Sequence, residues 1–251
     1  MMRRSGLAFG MILLASGCGG NAPAPAPGNA TSATPQPAPS PAAATAPVRA
    51  LSEAQQVGKA MQAVFGKPSP VMQNTGDGRA TTRAGKLLWQ GDRAVLITAT
   101  SIEQASHAVT GSLGVYYLRP SGDHFDVSGR FPAAVSGNGF GGEPNNWSIS
   151  ERFGALPVIY AEAGWTGQGM TCSSFTLTEL APNKPVQLAS VPIGYDDSGA
   201  GGESNIEGKL GTIVPGKSFT VDYSGSEQFS ETWTRKGDAY ALPAETKVPS
   251  C

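Results

Sequence analysis

From Pro70 onward, short runs of β-branched and aromatic residues alternate with clusters of Gly, Pro, Asn and Asp. Such runs are typical of strands, and the clusters between them are typical of tight turns. The chain also contains 33 Gly and 20 Pro residues, too many for a helical bundle. We therefore expect an all-β, antiparallel domain. The predicted strands are 86–89, 94–99, 112–118, 125–129, 147–150, 157–162, 174–180, 186–191, 206–213, 219–223, 229–235 and 239–242.

A repeat is visible beneath this pattern. Val95 and Val158, Leu118 and Leu180, and Pro132 and Pro192 occupy similar contexts, 63, 62 and 60 residues apart. Similarity at a nearly fixed period indicates repeated β-meanders, here about three units within residues 51–251. The units would form a sandwich, a propeller-like array or a trefoil-like barrel. Regular hairpins without a true repeat would give a similar pattern.

One helix is predicted before the strands. Ser52 and Gln55 have the spacing of a capping box, in which each side chain satisfies a free backbone N–H group. Apolar residues then recur at helical spacing up to Phe65. Gly66 and Pro68 are typical of a helix end, so we expect an amphipathic helix at 53–65 that packs on the domain.

The first 18 residues have the features of a secretion signal. Arg3 and Arg4 precede a short apolar run at 7–15, which is too short to span a bilayer. The sequence LASGC at 14–18 resembles the lipobox of bacterial lipoproteins. The resemblance implies cleavage after residue 17, a diacylglycerol on the Cys18 sulfur, and acylation of the new amine. Gly19, where some enteric lipoproteins have Asp, implies the outer membrane of a Gram-negative bacterium.

Residues 18–50 form the predicted linker. More than half of residues 19–50 are Pro or Ala, and the segment contains one charged residue and no aromatic residue. A segment of this kind buries too little apolar surface to offset its ordering entropy. We expect a disordered stalk that separates a folded domain at 51–251 from the membrane. A ligand for a proline-reading module is the alternative interpretation.

Charge excludes one class of partner. Charged residues make up only 15% of the chain, and the formal net charge is −1. A nucleic-acid binder needs clustered Lys and Arg to contact phosphates, so we expect no nucleic-acid partner.

Two cysteines remain besides Cys18. Cys172 and Cys251 fall in the part expected to face an oxidising compartment, where two thiols most simply pair. We therefore predict a structural disulfide. Free thiols and an intermolecular bridge are the alternatives.

The candidate ligand-binding residues are aromatic residues set among glycines and amides. Exposed aromatic rings stack on sugar rings or peptides, and neighbouring amides add hydrogen bonds. Anchoring of loops to the core is the competing interpretation. The candidates are Phe140, Asn145, Asn146, Trp147, Trp165 and Gln168.

Other motifs give little indication of chemistry. The histidines, His107 and His124, lack a recognisable nucleophile motif nearby. Residues 137–142 match G-x-G-x-x-G, but no helix is predicted after them, as a dinucleotide site requires. The oxygen-rich loop at 196–203 lacks the ligand spacing of an EF-hand. We expect no cofactor and no metal.

These observations favour a lipid-anchored cell-envelope protein that binds a ligand or assists envelope assembly without catalysis. Its expected partners are the membrane, through the anchor, and an envelope protein or a glycan. The alternative is a periplasmic hydrolase that acts on glycan or peptide through paired carboxylates. Glu162, Glu179 and Glu203 are the carboxylates considered for that role.

Overall fold

A computed structural model describes residues 46–251. Within this range, one helix precedes a series of antiparallel strands, as the sequence predicts. The helix is α1 (Glu53–Phe65), and short 3-10 turns lie at Val48–Ala50 and Ser198–Ala200. The strands are β1 (Val71–Thr75), β2 (Gly78–Gln90), β3 (Arg93–Glu103), β4 (Ser112–Ser121), β5 (His124–Ser136), β6 (Asn146–Ser150), β7 (Val158–Gly167), β8 (Met170–Leu180), β9 (Pro185–Asp196), β10 (Asn205–Val214), β11 (Ser218–Gly225), β12 (Phe229–Lys236) and β13 (Ala239–Ala241).

The strands form two sheets, and within each sheet every strand pairs with its neighbours in the sequence. The first sheet has the order β1-β2-β3-β4-β5, and the second runs from β13 through β6 in reverse chain order. Backbone pairing stops between β5 and β6 and continues from β9 to β10. The first predicted repeat unit therefore lies in its own sheet, whereas the second and third share one continuous sheet.

Two hairpins show the same irregularity at equivalent places. In the β4–β5 pairing, β5 has an extra residue at Ser128, and in the β8–β9 pairing, β9 has one at Leu188. These positions are 60 residues apart, the same spacing as Pro132 and Pro192. A bulge increases local twist, so the two hairpins bend at corresponding points. The likeness agrees with the sequence repeat, and the number of units stays a prediction.

Helix α1 begins and ends where the sequence indicates. Ser52 and Gln55 form the predicted capping box, and Gly66 adopts a left-handed conformation (φ 67°) at the C-cap. Its buried residues, Met61 among them, pack against one face of the first sheet. Between residues 46 and 251, no helix is long and apolar enough to cross a bilayer.

The folded part begins before the predicted boundary at residue 51. Val48 is fully buried, and its N–H donates to the Gly122 carbonyl at 2.8 Å. The Arg49 guanidinium lies 4.4 Å from the centroid of the Trp89 ring. An apolar contact and a cation–π contact thus attach these two residues of the predicted linker to the folded domain. Residues 1–45, which include the predicted signal, Cys18 and most of the predicted linker, lie outside the described range.

The other face of the first sheet packs on the beginning of the second. Val95, Val115 and Tyr117 contact Ile159 and Leu180 in one apolar cluster. The second sheet then curls until β13 contacts β9, and it encloses its own aromatic core around Phe219. This stacking places the β3–β4 and β5–β6 loops beside the β7–β8 hairpin.

Candidate functional site

Two adjoining cavities lie where these two loops meet the β7–β8 hairpin. Their volumes are about 390 Å³ and 380 Å³, in the size range of small-molecule sites. Both are lined by Trp165, and we refer to them together as the Trp165 cleft. The residues that line both cavities are Asn138, Gly139, Gly164, Trp165, Cys172 and Ser173.

The glycine-rich loop, residues 137–142 between β5 and β6, forms one wall of the cleft. Gly141 has φ 71°, and a Cβ there would overlap the Ile102 carbonyl. The Gly111 N–H donates to the Gly142 carbonyl at 2.7 Å, and the Gly137 N–H donates to the Gly111 carbonyl at 2.8 Å. The glycines therefore allow three backbone segments to approach closely. The residues of the G-x-G-x-x-G pattern therefore hold the β5–β6 loop against the β3–β4 loop through backbone hydrogen bonds.

Two aromatic side chains are exposed at the cleft. The six-membered ring of the Trp165 indole lies against Gly167 on the same strand, and the side chain is 36% exposed. Phe140 is 54% exposed, and its ring centroid is 4.0 Å from that of His107. Phe140 also has φ 60°, a conformation that a bulky residue seldom adopts. Both rings are thus held in place by local contacts while remaining accessible.

The face of the β7–β8 hairpin opposite the Trp165 ring is made of small residues, because Trp165 pairs with Cys172 whereas the neighbouring Gly164 pairs with Ser173. Gly164, Ser173 and Gly194 lie side by side across β7, β8 and β9. The Ser173 hydroxyl lies over Gly194, so a Cβ at position 194 would collide with it. The Asn145 amide lies over Gly164, 3.7 Å from where a Cβ would be, and hydrogen-bonds the Asn138 amide at 2.8 Å. A shallow polar depression results.

The predicted disulfide between Cys172 and Cys251 is present and borders the cleft. The two Cα atoms are 6.1 Å apart, and Cys172 pairs directly with Trp165 across β7 and β8. Ser250 and Cys251 line the larger cavity. The disulfide therefore holds the end of the described chain against the cleft as part of its wall.

A buried carboxylate holds the preceding segment in place. Glu231 accepts hydrogen bonds from the Lys247 N–H at 2.8 Å and the Thr246 hydroxyl at 3.1 Å. Val248 is buried in the core of the second sheet. Residues 246–251 are thus attached to the domain at both β12 and β8. Burial raises the pKa of Tyr223, whose hydroxyl also donates to Glu231, and the nearby carboxylate raises it further.

Three of the six predicted ligand-binding residues line the Trp165 cleft: Phe140, Asn145 and Trp165. Trp165 belongs to strand β7, which continues to Gly167, past the strand end predicted at residue 162.

The other three predicted residues lie elsewhere. Trp147 packs between the two sheets, with its ring against Gly85. The Asn146 amide donates to Glu162 at 3.5 Å, and Gln168 occupies the exposed turn of the β7–β8 hairpin with φ 55°. Sequence proximity to glycines therefore did not distinguish exposed aromatic residues from core ones.

The three candidate carboxylates are not brought together at the cleft. Glu162 accepts a hydrogen bond from the Tyr160 hydroxyl, and the pKa of Tyr160 is raised by burial and by this carboxylate. Glu179 lies four positions further along the β7–β8 pairing, about 13 Å away at the usual strand rise. In the part of the chain that is described, neither these two nor Glu203 lines the Trp165 cleft.

The oxygen-rich loop uses its carboxylates within its own turn. Asp196 accepts from the Ser198 N–H at 2.9 Å, and hydrogen bonding from the Ser198 side chain, together with this N–H, lowers the Asp196 pKa. Asp197 accepts from the Ser204 N–H at 2.9 Å. Among residues 46–251, no group of three His, Cys, Asp or Glu side chains is placed to hold a metal ion.

The sequence did not single out Asn138, Ser173, Gly164 and Gly194. A usable signal existed for the glycines, because a glycine inside a strand weakens it and often marks a close approach. Gly164 and Gly194 both lie within strands. Their alignment with Ser173 depends on strand register.

Comparison with known proteins gives no relative: no protein-family model, no curated protein and no solved structure matches this chain.

Proposed function

We propose that this chain is a lipid-anchored cell-envelope protein that binds a ligand in the Trp165 cleft. Attachment would occur through Cys18, because residues 14–18 resemble a lipobox. Two or more acyl chains give stable anchoring, since each buried methylene contributes about 0.8 kcal/mol. Gly19 supports placement in the outer membrane. The Pro- and Ala-rich segment that follows would hold the cleft away from the bilayer.

The exposure of Trp165 and Phe140 where the β5–β6 loop meets the β7–β8 hairpin is the observation that carries the binding role. Large apolar side chains exposed in a concave site mark interaction surfaces more often than isolated surface residues do. These two are 36% and 54% exposed, and each is fixed by a local contact. A rigid site loses little conformational entropy when a ligand binds.

The frame around these aromatic residues also suits binding. The disulfide closes one side, and the glycine-rich loop closes another through backbone hydrogen bonds. Asn138 and Asn145 already contact each other, so their amides are oriented before a ligand arrives. Preorganised polar groups of this kind favour affinity and selectivity.

Metabolic labelling with a clickable palmitate analogue tests the anchor. We expect the full-length protein to carry the label and to remain in the membrane fraction. Cys18→Ala should lose both properties, whereas Cys251→Ala, as the matched cysteine control, should keep the label. An unlabelled wild-type protein would remove the anchor from the proposal.

Site-specific photocrosslinking in cells tests the cleft. A photoreactive amino acid at position 140 or 165 should give adducts, since both side chains are exposed at the cleft. The control is position 72 on β1, where the methionine is 61% exposed but lies on the first sheet. Equal adduct yields at positions 72 and 165 would contradict a binding role for the cleft.

A further inference from the structure

We infer that the disulfide between Cys172 and Cys251 is a thiol-exchange site whose reduction opens the larger cavity of the Trp165 cleft while the domain stays folded. The reacting partner is a dithiol reductant, and the moving part is residues 249–251, which we call the strap. The inference rests on the proposed function only in its consequence for binding, because the exchange and the opening can be measured without a ligand.

The strap is held in place by the disulfide. Pro249, Ser250 and Cys251 are exposed, and in the described part of the chain none of them takes part in a hydrogen bond. Ser250 and Cys251 nevertheless line the larger cavity, whereas neither lines the smaller one. Cleavage of the bond to Cys172 therefore frees the strap at its cavity end.

The segment before the strap stays attached when the disulfide is cleaved. Glu231 accepts hydrogen bonds from the Thr246 hydroxyl and the Lys247 N–H, and the Val248 side chain is buried. On the other side of the bond, Cys172 lies in β8, which pairs with β7 and with β9 at this point. Three residues span at most about 10 Å, so the movement is confined to the strap.

The bond is accessible to a reductant. Cys251 is exposed and Cys172 is partly exposed, so a thiolate can approach Cys251 Sγ without unfolding of the domain. Thiol–disulfide exchange depends on such access and on the fraction of the attacking thiol that is ionised. A disulfide enclosed in the core would react only after the domain unfolds.

The exchange proceeds in two steps that conserve atoms and electrons. A thiolate of the dithiol attacks Cys251 Sγ, the bond between the two protein sulfurs breaks, and Cys172 leaves as a thiolate that takes up a proton. The second thiol of the reductant loses its proton and attacks the mixed disulfide, and Cys251 leaves as a thiolate and is protonated. The two electrons come from the dithiol, which becomes an intramolecular disulfide.

Release of the strap uncovers the side of the cavity that holds Trp165. Trp165 pairs directly with Cys172 across β7 and β8, so the two side chains lie on one face of the hairpin. The strap is bonded to Cys172 on that face, and Trp165 lines the same cavity as Ser250 and Cys251. Reduction should therefore increase the access of small molecules to the Trp165 ring.

The experiment measures exchange and opening in the full-length protein in detergent. The protein is incubated with dithiothreitol, alkylated with iodoacetamide and mapped by mass spectrometry, while far-UV circular dichroism follows folding. We expect Cys172 and Cys251 to become alkylated with an unchanged spectrum, at a rate that does not depend on urea below the unfolding transition. Acrylamide quenching of the Trp165 fluorescence, taken as the difference between wild type and Trp165→Phe, should rise about twofold, because local opening exposes the covered ring.

Cys251→Ser is the open reference, since it cannot form the bond. Its quenching without reductant should equal that of reduced wild type, and dithiothreitol should not change it. Ser250→Ala is the matched control within the strap, because it keeps both cysteines, and it should respond to reduction as wild type does. If Cys251→Ser does not fold, the Cys172→Ser/Cys251→Ser double variant replaces it as the open reference.

Two results would overturn the inference. One is alkylation that requires unfolding, seen as a rate that rises steeply with urea or as loss of the folded spectrum on reduction. The other is complete reduction with unchanged quenching, which would mean that the strap stays in place. Either result leaves the proposed function standing, because photocrosslinking at positions 140 and 165 tests that function separately. Absence of those crosslinks would reject the proposed function and leave exchange at the disulfide unaffected.

Discussion

Removal of the Cys172–Cys251 disulfide should destabilise the domain strongly. The bond closes a loop with a sequence separation of 79 residues. For a loop of this length, the entropy that cross-linking removes from the unfolded chain corresponds to about 4 kcal/mol at 25 °C. Small domains have total stabilities of about 5–15 kcal/mol, so the loss is a large fraction of the whole.

The folded state should survive the loss of the bond. The segment that carries Cys251 is also held by the hydrogen bonds from Lys247 and Thr246 to Glu231 and by the burial of Val248. The predicted cost therefore arises mainly in the unfolded state, which becomes free to expand. Such an effect lowers the midpoint of unfolding and slightly increases the dependence of stability on denaturant.

Urea unfolding of the Cys172→Ser/Cys251→Ser double variant, followed by far-UV circular dichroism, measures the effect. With a slope of about 2 kcal/mol/M, a loss of about 4 kcal/mol moves the midpoint down by about 2 M. Ser250→Ala is the control, because it changes a cleft residue beside the bond and leaves the bond intact. A double variant whose midpoint lies within about 0.3 M of wild type would refute the entropic reasoning.

Three further predictions concern stability. Gly141→Ala should lower the free energy of unfolding more than Gly201→Ala does. Both positions have positive φ, but of the two only position 141 would bring a Cβ into overlap with a backbone carbonyl. Thermal melts should therefore show the lower melting temperature for Gly141→Ala. Glu231→Ala should lower the free energy of unfolding by about 3 kcal/mol, because the groups that donate to this buried carboxylate lose their acceptor. Equal urea midpoints for the variant and wild type would contradict this role of Glu231. Burial raises the pKa of Tyr117 to about 12, so the folded state holds this proton more tightly than the unfolded state and stability should fall as pH rises from about 10 to 12. Tyr117→Phe should reduce this pH-dependent loss of stability, measured as urea midpoints from pH 10 to 12. The substitution breaks no hydrogen bond, because the Tyr117 hydroxyl has no partner among the described residues. If the variant loses stability over this range as much as wild type does, groups other than Tyr117 cause the loss.

Local patterns predicted the elements well wherever the relevant interactions are near in sequence. The capping box of Ser52 and Gln55 and the stop at Gly66 depend on residues within one or two turns, and α1 has the predicted bounds. Strand β1 and the first half of β2 were missed. The first half of β2 is rich in Thr, Arg and Gly, and it is a strand because it pairs with β3 on one side and with β1 on the other.

The candidate site was only half predictable for the same reason. Phe140, Asn145 and Trp165 do line one cleft, whereas Trp147, in a similar setting of amides and turn residues, packs against Gly85. Exposure of an aromatic residue depends on what covers it. For Trp147 the covering strand lies about sixty residues earlier in the chain, and nothing near position 147 encodes that contact.

The sequence alone predicted helix α1, most of the antiparallel strands and, as the simplest of its alternatives, the bond between Cys172 and Cys251. Periodicity, caps and turns act between neighbours in the chain, and a lone pair of thiols leaves few choices. Only the tertiary structure decided which aromatic rings stay exposed, and it aligned Gly164, Ser173 and Gly194 side by side across three strands. The physical reason is that register and sheet stacking are set by the burial of whole faces, to which distant segments contribute together.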